Sequence, residues 1–295
     1  MKTDVLILGS GPSGLQAAIH AARKKVSVTV VGKTTGSAIS GTEIENYFGV
    51  SGAMDGDELL KHGQEQAEAF GCVLVRQNVV SCITEATGFT AVLESGDKIH
   101  AKAVVIATGV FRRKLGVPGE KQLLGKGVSY CANCDCNFYK GVPVMIVGNE
   151  SEAAISAEMM TRYASKVYWA TNQTDVNESL MERVRAAGVT IVNEFPSEII
   201  GKEKVVGVTM KNGSLYEVTG VFIELGGRSS ADLAMDLGLM PDLEDTIKIG
   251  HGGVTEVPGV FACGDVTGRP WQLAKAVGEG AVAGMSAADY AREQH

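Results

Sequence analysis

A chain of 295 residues, 45% hydrophobic and 21% charged, has apolar material for two cores and the composition of an ordinary globular protein. Its formal net charge is −7 and its basic residues are scattered, which argues against a nucleic-acid-binding surface. No run of eighteen apolar residues is present to span a membrane and no signal-peptide cleavage site follows the N-terminus, so a cytoplasmic location is expected by default.

The chain opens with an apolar strand, Val5 to Leu8, a glycine turn, and a helix over Leu15 to Lys24. A second apolar run, Val26 to Val31, completes a βαβ unit. Leu59, Leu60, Ala67 and Phe70 stand at helical spacing between Asp55 and Phe70, and Gly71 supplies a stop. Short strands are predicted over Val73 to Val80, Ser81 to Ile83, Phe89 to Glu94 and Lys98 to Thr108.

The strand–glycine–helix pattern then returns about 140 residues after the first, too far apart for a short-period repeat and suited to a duplicated fold unit. Val142 to Val147 reads as its strand, Gly148 as the turn, Ser151 to Tyr163 as the helix and Val167 to Ala170 as the next strand. Strand-rich sequence resumes at Thr190 to Ile200, Val205 to Met210 and Val218 to Leu225. A last strand, Val260 to Asp265, and a long helix over Gln272 to Arg292 close the chain. The expected fold is α/β, with domain boundaries near residues 115 and 245.

Gly9-Ser-Gly11-Pro12-Ser13-Gly14 fits the Gly-x-Gly-x-x-Gly fingerprint in its required setting, after a strand and opening a helix. The first glycine makes the turn, the second lets a pyrophosphate approach the backbone, and the third lets helix and strand pack closely. The helix N-terminus offers free N–H groups to the anion. The acidic residue that usually binds a ribose at the end of the second strand is missing, because that strand ends Val31-Gly32-Lys33. Two further strand ends, Ala107-Thr108-Gly109 and Cys263-Gly264-Asp265, complete a nucleotide-binding pattern; taken singly, each is also an ordinary strand and turn.

Six cysteines are present. Cys72, Cys82 and Cys263 lie in apolar runs, where cysteine behaves as a small hydrophobe. Cys131, Cys134 and Cys136 crowd together, which signals redox chemistry or metal binding. Two residues between Cys131 and Cys134 let their sulfurs join in a small ring, and a helix start there would favour the thiolate that attacks other disulfides. Zinc is the competing reading, but no fourth cysteine or histidine lies nearby, so no metal is expected. Asp135, at the start of that helix, reads from its position as a capping or dipole-partner carboxylate.

Together these motifs resemble the low-molecular-weight thioredoxin reductases: Gly9 to Gly14, Glu45-Asn46, Ala107-Thr108-Gly109, Cys131-x-x-Cys134-Asp135 and Cys263-Gly264-Asp265 occur in that family's order over nearly the whole chain. The resemblance implies two Rossmann-like, three-layer domains, the second inserted into the first. Residues 1–115 and 245–295 would bind FAD, and residues 116–244 would carry the cysteine pair and a nicotinamide-nucleotide site. It implies cofactor contacts at Gly9, Gly11, Pro12, Ser13, Gly14, Asn46, Thr108, Gly109, Gly264, Asp265 and Gln272. Cys134 would face the flavin, Cys131 would attack the substrate disulfide, and Asp135 would protonate the departing thiolate. Cys136 departs from the family, where glycine is usual, and reads as a buried thiol or a spare exchange partner.

The second fingerprint departs further. It reads Gly148-Asn149-Glu150-Ser151-Glu152-Ala153, with Glu150 where a bare backbone should meet the pyrophosphate. Where the family places a His-Arg-Arg cluster for a 2′-phosphate, this chain has Thr171-Asn172-Gln173, without a cation. The resemblance therefore narrows to relatives independent of pyridine nucleotides, which take electrons from ferredoxin, a deazaflavin or a second flavin. Trp271 stands where family members have an arginine near the flavin, and either stacks on a flavin ring or fills a contact. Arg112-Arg113-Lys114 is the compact basic cluster that would suit an acidic ferredoxin, or a solvated turn.

The leading expectation is an enzyme passing electrons through FAD to Cys131–Cys134 and on to a thioredoxin-like protein, as a homodimer by analogy. A dithiol oxidase returning electrons to oxygen, an NADPH-dependent reductase with an atypical site, and a non-catalytic flavin-bound sensor remain alternatives.

Overall fold

The computed structural model describes residues 1–109, 114–225, 230–242 and 245–294; the side chains of Thr35 and Cys134 lie outside the described set. Two compact units emerge from its contacts: Met1–Phe111 with Arg228–His295, and Arg112–Gly227. Each is a three-layer α/β assembly, as the duplicated sequence pattern leads one to expect.

The first unit begins with β1 (Lys2–Leu8), α1 (Pro12–Arg23) and β2 (Val28–Val31). β3 (Glu43–Ile44) and β4 (Met54–Asp55) form a small ladder before α2 (Gly56–Ala69), whose N-cap Asp55 accepts hydrogen bonds from Asp57 and Glu58 amides. β5 (Val73–Val75), β6 (Val79–Glu85), β7 (Gly88–Leu93) and β8 (Lys98–Ile106) follow. β1 pairs in parallel with β2 and β8, and its apolar run faces two cores by alternation. Val5 and Ile7 join α1 residues in one cluster, whereas Leu6 and Leu8 join residues of β6 to β8 in another.

The second unit carries β9 (Val128–Ser129), the short α3 (Ala132–Asp135), β10 (Pro143–Val147), α4 (Ser151–Met160), β11 (Lys166–Ala170), α5 (Glu178–Ala186) and β12 (Thr190–Val192). β13 (Pro196–Gly201), β14 (Val205–Met210) and β15 (Leu215–Tyr216) make an antiparallel sheet, and β16 (Gly220–Ile223) returns to the parallel one. The parallel order is β12-β11-β10-β16-β9. Here too β10 divides its side chains: Val144 and Ile146 pack with α4 and α5, Met145 and Val147 with β13 and β14. The sequence pattern predicts no helix between residues 171 and 189; α5 forms there because Leu180, Met181 and Val184 share one buried face and Asn177 caps its start.

The chain then re-enters the first unit through α6 (Ser230–Asp236), β17 (Val260–Ala262) and α7 (Leu273–Glu293). β8 is long enough to hold β7 along its first half and β17 along its second. A boundary near 245 is corrected to 228, because Leu233, Ala234 and Leu237 are core residues of the first unit. The last strand is shorter than expected: it ends at Ala262, and Asp265–Thr267 turns into a 3₁₀ segment.

Candidate active site

In the first unit, residues far apart in sequence meet at the glycine turn. A Cβ on Gly9 would lie 2.4 Å from the Ala107 carbonyl oxygen, and one on Gly14 would lie 1.9 Å from the Gly9 carbonyl oxygen. Only glycine fits at these two positions, since backbone cannot give way. Gly11 is different. Its φ of −77° suits any residue, and a Cβ there would meet nothing nearer than Ser37 Oγ at 3.7 Å. The fold itself does not demand glycine at position 11; a bulky group approaching from outside the chain would.

The second and third strand ends join this turn. Gly264 abuts Ser13, with 2.5 Å between its ideal Cβ position and Ser13 Oγ, and Gly280 of α7 packs on the Ser13 backbone. Thr108 Oγ1 donates to Ser230 Oγ at 2.8 Å, and Ser230 Oγ donates in turn to the Gly109 carbonyl. Asn46 Nδ2 donates to Gln272 Oε1 at 3.5 Å, linking two site residues 226 positions apart. Pro12 begins α1, and neither α1 nor α7 has a side-chain N-cap hydrogen bond.

Charge around Asp265 is arranged by α7. Lys275 Nζ donates to the carbonyls of Gly264 and Gly268 and to Thr267 Oγ1, while Glu279 Oε2 accepts from the Gly264 amide at 2.9 Å. Burial raises the Asp265 carboxyl above its ordinary value, opposed by the Lys275 charge. Beneath it, Cys263 is fully buried, and its thiol is pushed up to about 12 by desolvation and then by Glu279. Trp271 is 44% exposed and carries the Arg269 guanidinium over its ring, 4.1 Å from the centroid.

Sequence reasoning missed Glu94. It lies at the end of β7, is buried, and brings Oε1 to 3.6 Å from Lys33 Nζ, beside the strand end where the ribose carboxylate was missing. Its Oε2 is buried without a hydrogen-bond partner, as are Ser10 Oγ and Ser37 Oγ next to the glycine turn. Nothing local in the sequence marks Glu94, because β7 reaches that corner only through the antiparallel meander.

In the second unit, Cys131 is disulfide-bonded and 7% exposed, directly before α3. Its amide donates to Ser129 Oγ at 3.0 Å, and the Asp135 amide donates to the Cys131 carbonyl at 3.3 Å. The Cys134 side chain is outside the described set. Cys72, Cys82, Cys136 and Cys263 are buried and outside any disulfide. Cys136 packs in a core cluster with Ala132, Val144 and Phe222. Among the described residues no group of three or more histidines, cysteines and carboxylates is arranged to hold a metal ion, and no helix is long and apolar enough to cross a membrane.

The second glycine loop is tied to β11 and the segment after it by hydrogen bonds. Asn149 Oδ1 accepts from Thr171 Oγ1 at 2.9 Å and from the Asn172 amide at 3.2 Å. The Asp175 amide donates to the Asn149 carbonyl at 2.8 Å, and Trp169 Nε1 donates to the Gly148 carbonyl at 2.8 Å. Glu150 is the N-cap residue of α4, with Glu152 in the first turn. Of the Arg112-Arg113-Lys114 cluster, both arginines lie outside the described residues.

Comparison with known proteins agrees over almost the full length. A family model described as pyridine nucleotide-disulphide oxidoreductase matches residues 3–280. The thioredoxin reductase of Aquifex aeolicus is 36% identical over 275 residues, covering 89% of this chain and 85% of that protein. The atypical thioredoxin reductase TRi of Desulfovibrio vulgaris Hildenborough superposes with a TM-score of 0.80 at 34% identity, over 99% of this chain and 98% of the other. A ferredoxin-flavin thioredoxin reductase from Clostridium acetobutylicum gives a TM-score of 0.67 at 34% identity, over 98% and 97%. The chain belongs to the pyridine nucleotide-disulphide oxidoreductase family and, within it, to the flavin-dependent thioredoxin reductases.

Proposed function

We propose that this enzyme reduces the disulfide of a thioredoxin-like protein through a Cys131–Cys134 pair, with electrons that reach FAD from a donor other than NADPH. What supports the donor reading is the second glycine loop, where Asn149 binds the end of β11 and Glu150, the N-cap of α4, takes the fingerprint position at which a pyrophosphate would approach. A carboxylate facing a pyrophosphate a few ångströms away would cost on the order of several kcal/mol at an effective dielectric near 20. Likeness to a ferredoxin-flavin thioredoxin reductase supports ferredoxin as the donor class, with a deazaflavin or a second flavin as other sources.

The first unit suits FAD. Gly11 is bare without structural need, and Ser10 and Ser37 hydroxyls beside it lack partners, as expected of a cradle for an oxygen-rich anion. Gly9 to Gly14 would hold the pyrophosphate, with Pro12 and Ser13 opening the helix that faces it. Glu94 would accept from ribose hydroxyls in place of the missing strand-end acid. Asn46, Thr108, Gly109, Gly264, Asp265 and Gln272 would line the remainder, and Trp271 would border the ring. When bound, FAD supplies two-electron transfer to the disulfide.

The protein's own steps follow from thiol chemistry. Two electrons and two protons open the Cys131–Cys134 bond. Cys131 passes its proton to Asp135 as it attacks one sulfur of the partner disulfide, forming a mixed disulfide, and Asp135 hands that proton to the departing thiolate. Cys134 then attacks the Cys131 sulfur, its proton passing to the second departing sulfur, which releases the partner as a dithiol and restores the internal bond. Because Cys131 is buried, a rearrangement that uncovers it precedes contact with a protein partner. We place the enzyme in the cytoplasm as a homodimer on the same family reading.

Anaerobic titration of the flavoprotein with NADPH, NADH, reduced ferredoxin and reduced deazaflavin tests this. Flavin bleaching by ferredoxin or deazaflavin, followed by thioredoxin reduction, is expected. Rapid bleaching by micromolar NADPH would overturn the donor assignment.

A further inference from the structure

Glu224 follows β16 directly and is 7% exposed. One carboxylate oxygen accepts the Ala132 amide at 2.8 Å; the other accepts the Ser156 hydroxyl of α4 at 2.6 Å. The Ala132 amide belongs to the peptide bond that joins Cys131 to α3, so the carboxylate stands one peptide from the sulfur-bearing residue. The amide on the other side of Cys131 is held by the neutral Ser129 hydroxyl. Both amides are therefore satisfied, but one of them by a charge.

Burying a carboxylate is costly unless charge-assisted hydrogen bonds offset it. A neutral side chain would satisfy the Ala132 amide with less desolvation. The use of a charge at this position has an electrostatic consequence for any anion formed nearby. A thiolate at a helix start is normally stabilised by the free amides there. Here the first of those amides already faces a negative oxygen.

We propose that Glu224 is a positioning residue that sets the redox poise of the Cys131 couple. It disfavours the Cys131 thiolate, so that reduction takes up two electrons and two protons and ends as two thiols. A disulfide whose reduced form is less stabilised is harder to reduce, and its dithiol is the stronger reductant. That suits a pair that must deliver electrons outward. The inference rests on the reading that Cys131 is one half of the working disulfide.

The test equilibrates the flavoprotein with glutathione or dithiothreitol buffers and counts thiols by labelling, in wild type, Glu224→Gln and Ser156→Ala. Glutamine keeps the volume and an acceptor for the Ala132 amide but removes the charge. It should shift the equilibrium toward the dithiol by about tenfold, which is about 30 mV for a two-electron couple. Ser156→Ala removes one anchor and keeps the charge; it should lower Tm and leave the equilibrium within about twofold of wild type. An equilibrium unmoved in a folded Glu224→Gln protein overturns the inference, because a purely structural role lowers Tm alone. A second measurement needs no variant at position 224: Cys134→Ser leaves Cys131 reduced, and its thiolate absorbance at neutral pH should be absent. A clear thiolate signal overturns the inference. If Cys131→Ser leaves the number of reducible thiols unchanged, the redox assignment itself falls, and this inference with it.

Discussion

The two glycine turns occupy equivalent places in equivalent βαβ units, and they have diverged in a selective way. In both, the first glycine stands where backbone presses on backbone: Gly9 in the first, and Gly148 in the second, where a Cβ would come within 2.0 Å of the Glu224 carbonyl oxygen. The third position holds Gly14 in the first and Ala153 in the second, and the second position differs most. Gly11 stays bare although its conformation suits any residue, whereas the corresponding place in the second loop carries Glu150. A side chain at the second position, where the fold itself does not demand glycine, is what the proposed loss of nucleotide binding in the second unit would allow.

The sharpest way to break this comparison is to give the first turn the second turn's residue. Gly11→Glu should fold normally, since its Cβ meets only Ser37, and lose FAD affinity by at least about a hundredfold. Flavin content after purification and fluorescence titration of apoprotein with FAD measure this. Retention of normal flavin content would mean that Gly11 does not face the cofactor.

The reverse exchange is harder, because a site has to be rebuilt. Combining Glu150→Gly, Asn149→Ala and Asn172→Arg should speed anaerobic flavin bleaching by NADPH by about tenfold over wild type. No gain would remove this loop as the ground for the donor proposal. An effect of similar size is expected at Glu94: changing it to glutamine should raise the Kd for FAD about tenfold while Tm of the apoprotein changes little. An unchanged Kd would return Glu94 to the role of Lys33's ion-pair partner.

The smallest expected effect is on alkaline stability. Burial pushes the Cys72 thiol up to about 11 and the Cys263 thiol up to about 12, against an unfolded value near 9. Above pH 9 the unfolded chain releases protons that the folded chain keeps, so stability falls as pH rises from 9 and levels off beyond the folded values. Cys72→Ala should flatten that slope in urea titrations between pH 8 and 10 relative to wild type. An identical slope would place the alkaline loss elsewhere.

Much of this molecule can be read from its residues in order. The apolar run of β1, the Gly-x-Gly-x-x-Gly turn opening α1, the return of the same pattern at Gly148 and the spacing of Cys131 and Cys134 are all local signals. Each acts within one strand, one turn or one helical start. Substitution of Glu150 and the absence of a cation after β11 are equally local, and they carry the donor proposal. The boundary at 228 was not readable, because α6 is assigned by which core its Leu233 and Leu237 enter, and its own sequence is neutral on that point.

What the linear order determined, then, is the set of elements and the chemistry of the motifs, since these follow from short-range periodicity, backbone sterics and residue type. Tertiary structure alone decided which distant side chains share a space. Asn46 meets Gln272, Glu94 arrives beside Lys33, and Glu224 reaches the amide next to Cys131, each across a crossover or a meander. The physical reason is that burial and hydrogen bonding of a carboxylate depend on the neighbours that folding brings, and those neighbours leave no trace at the position itself.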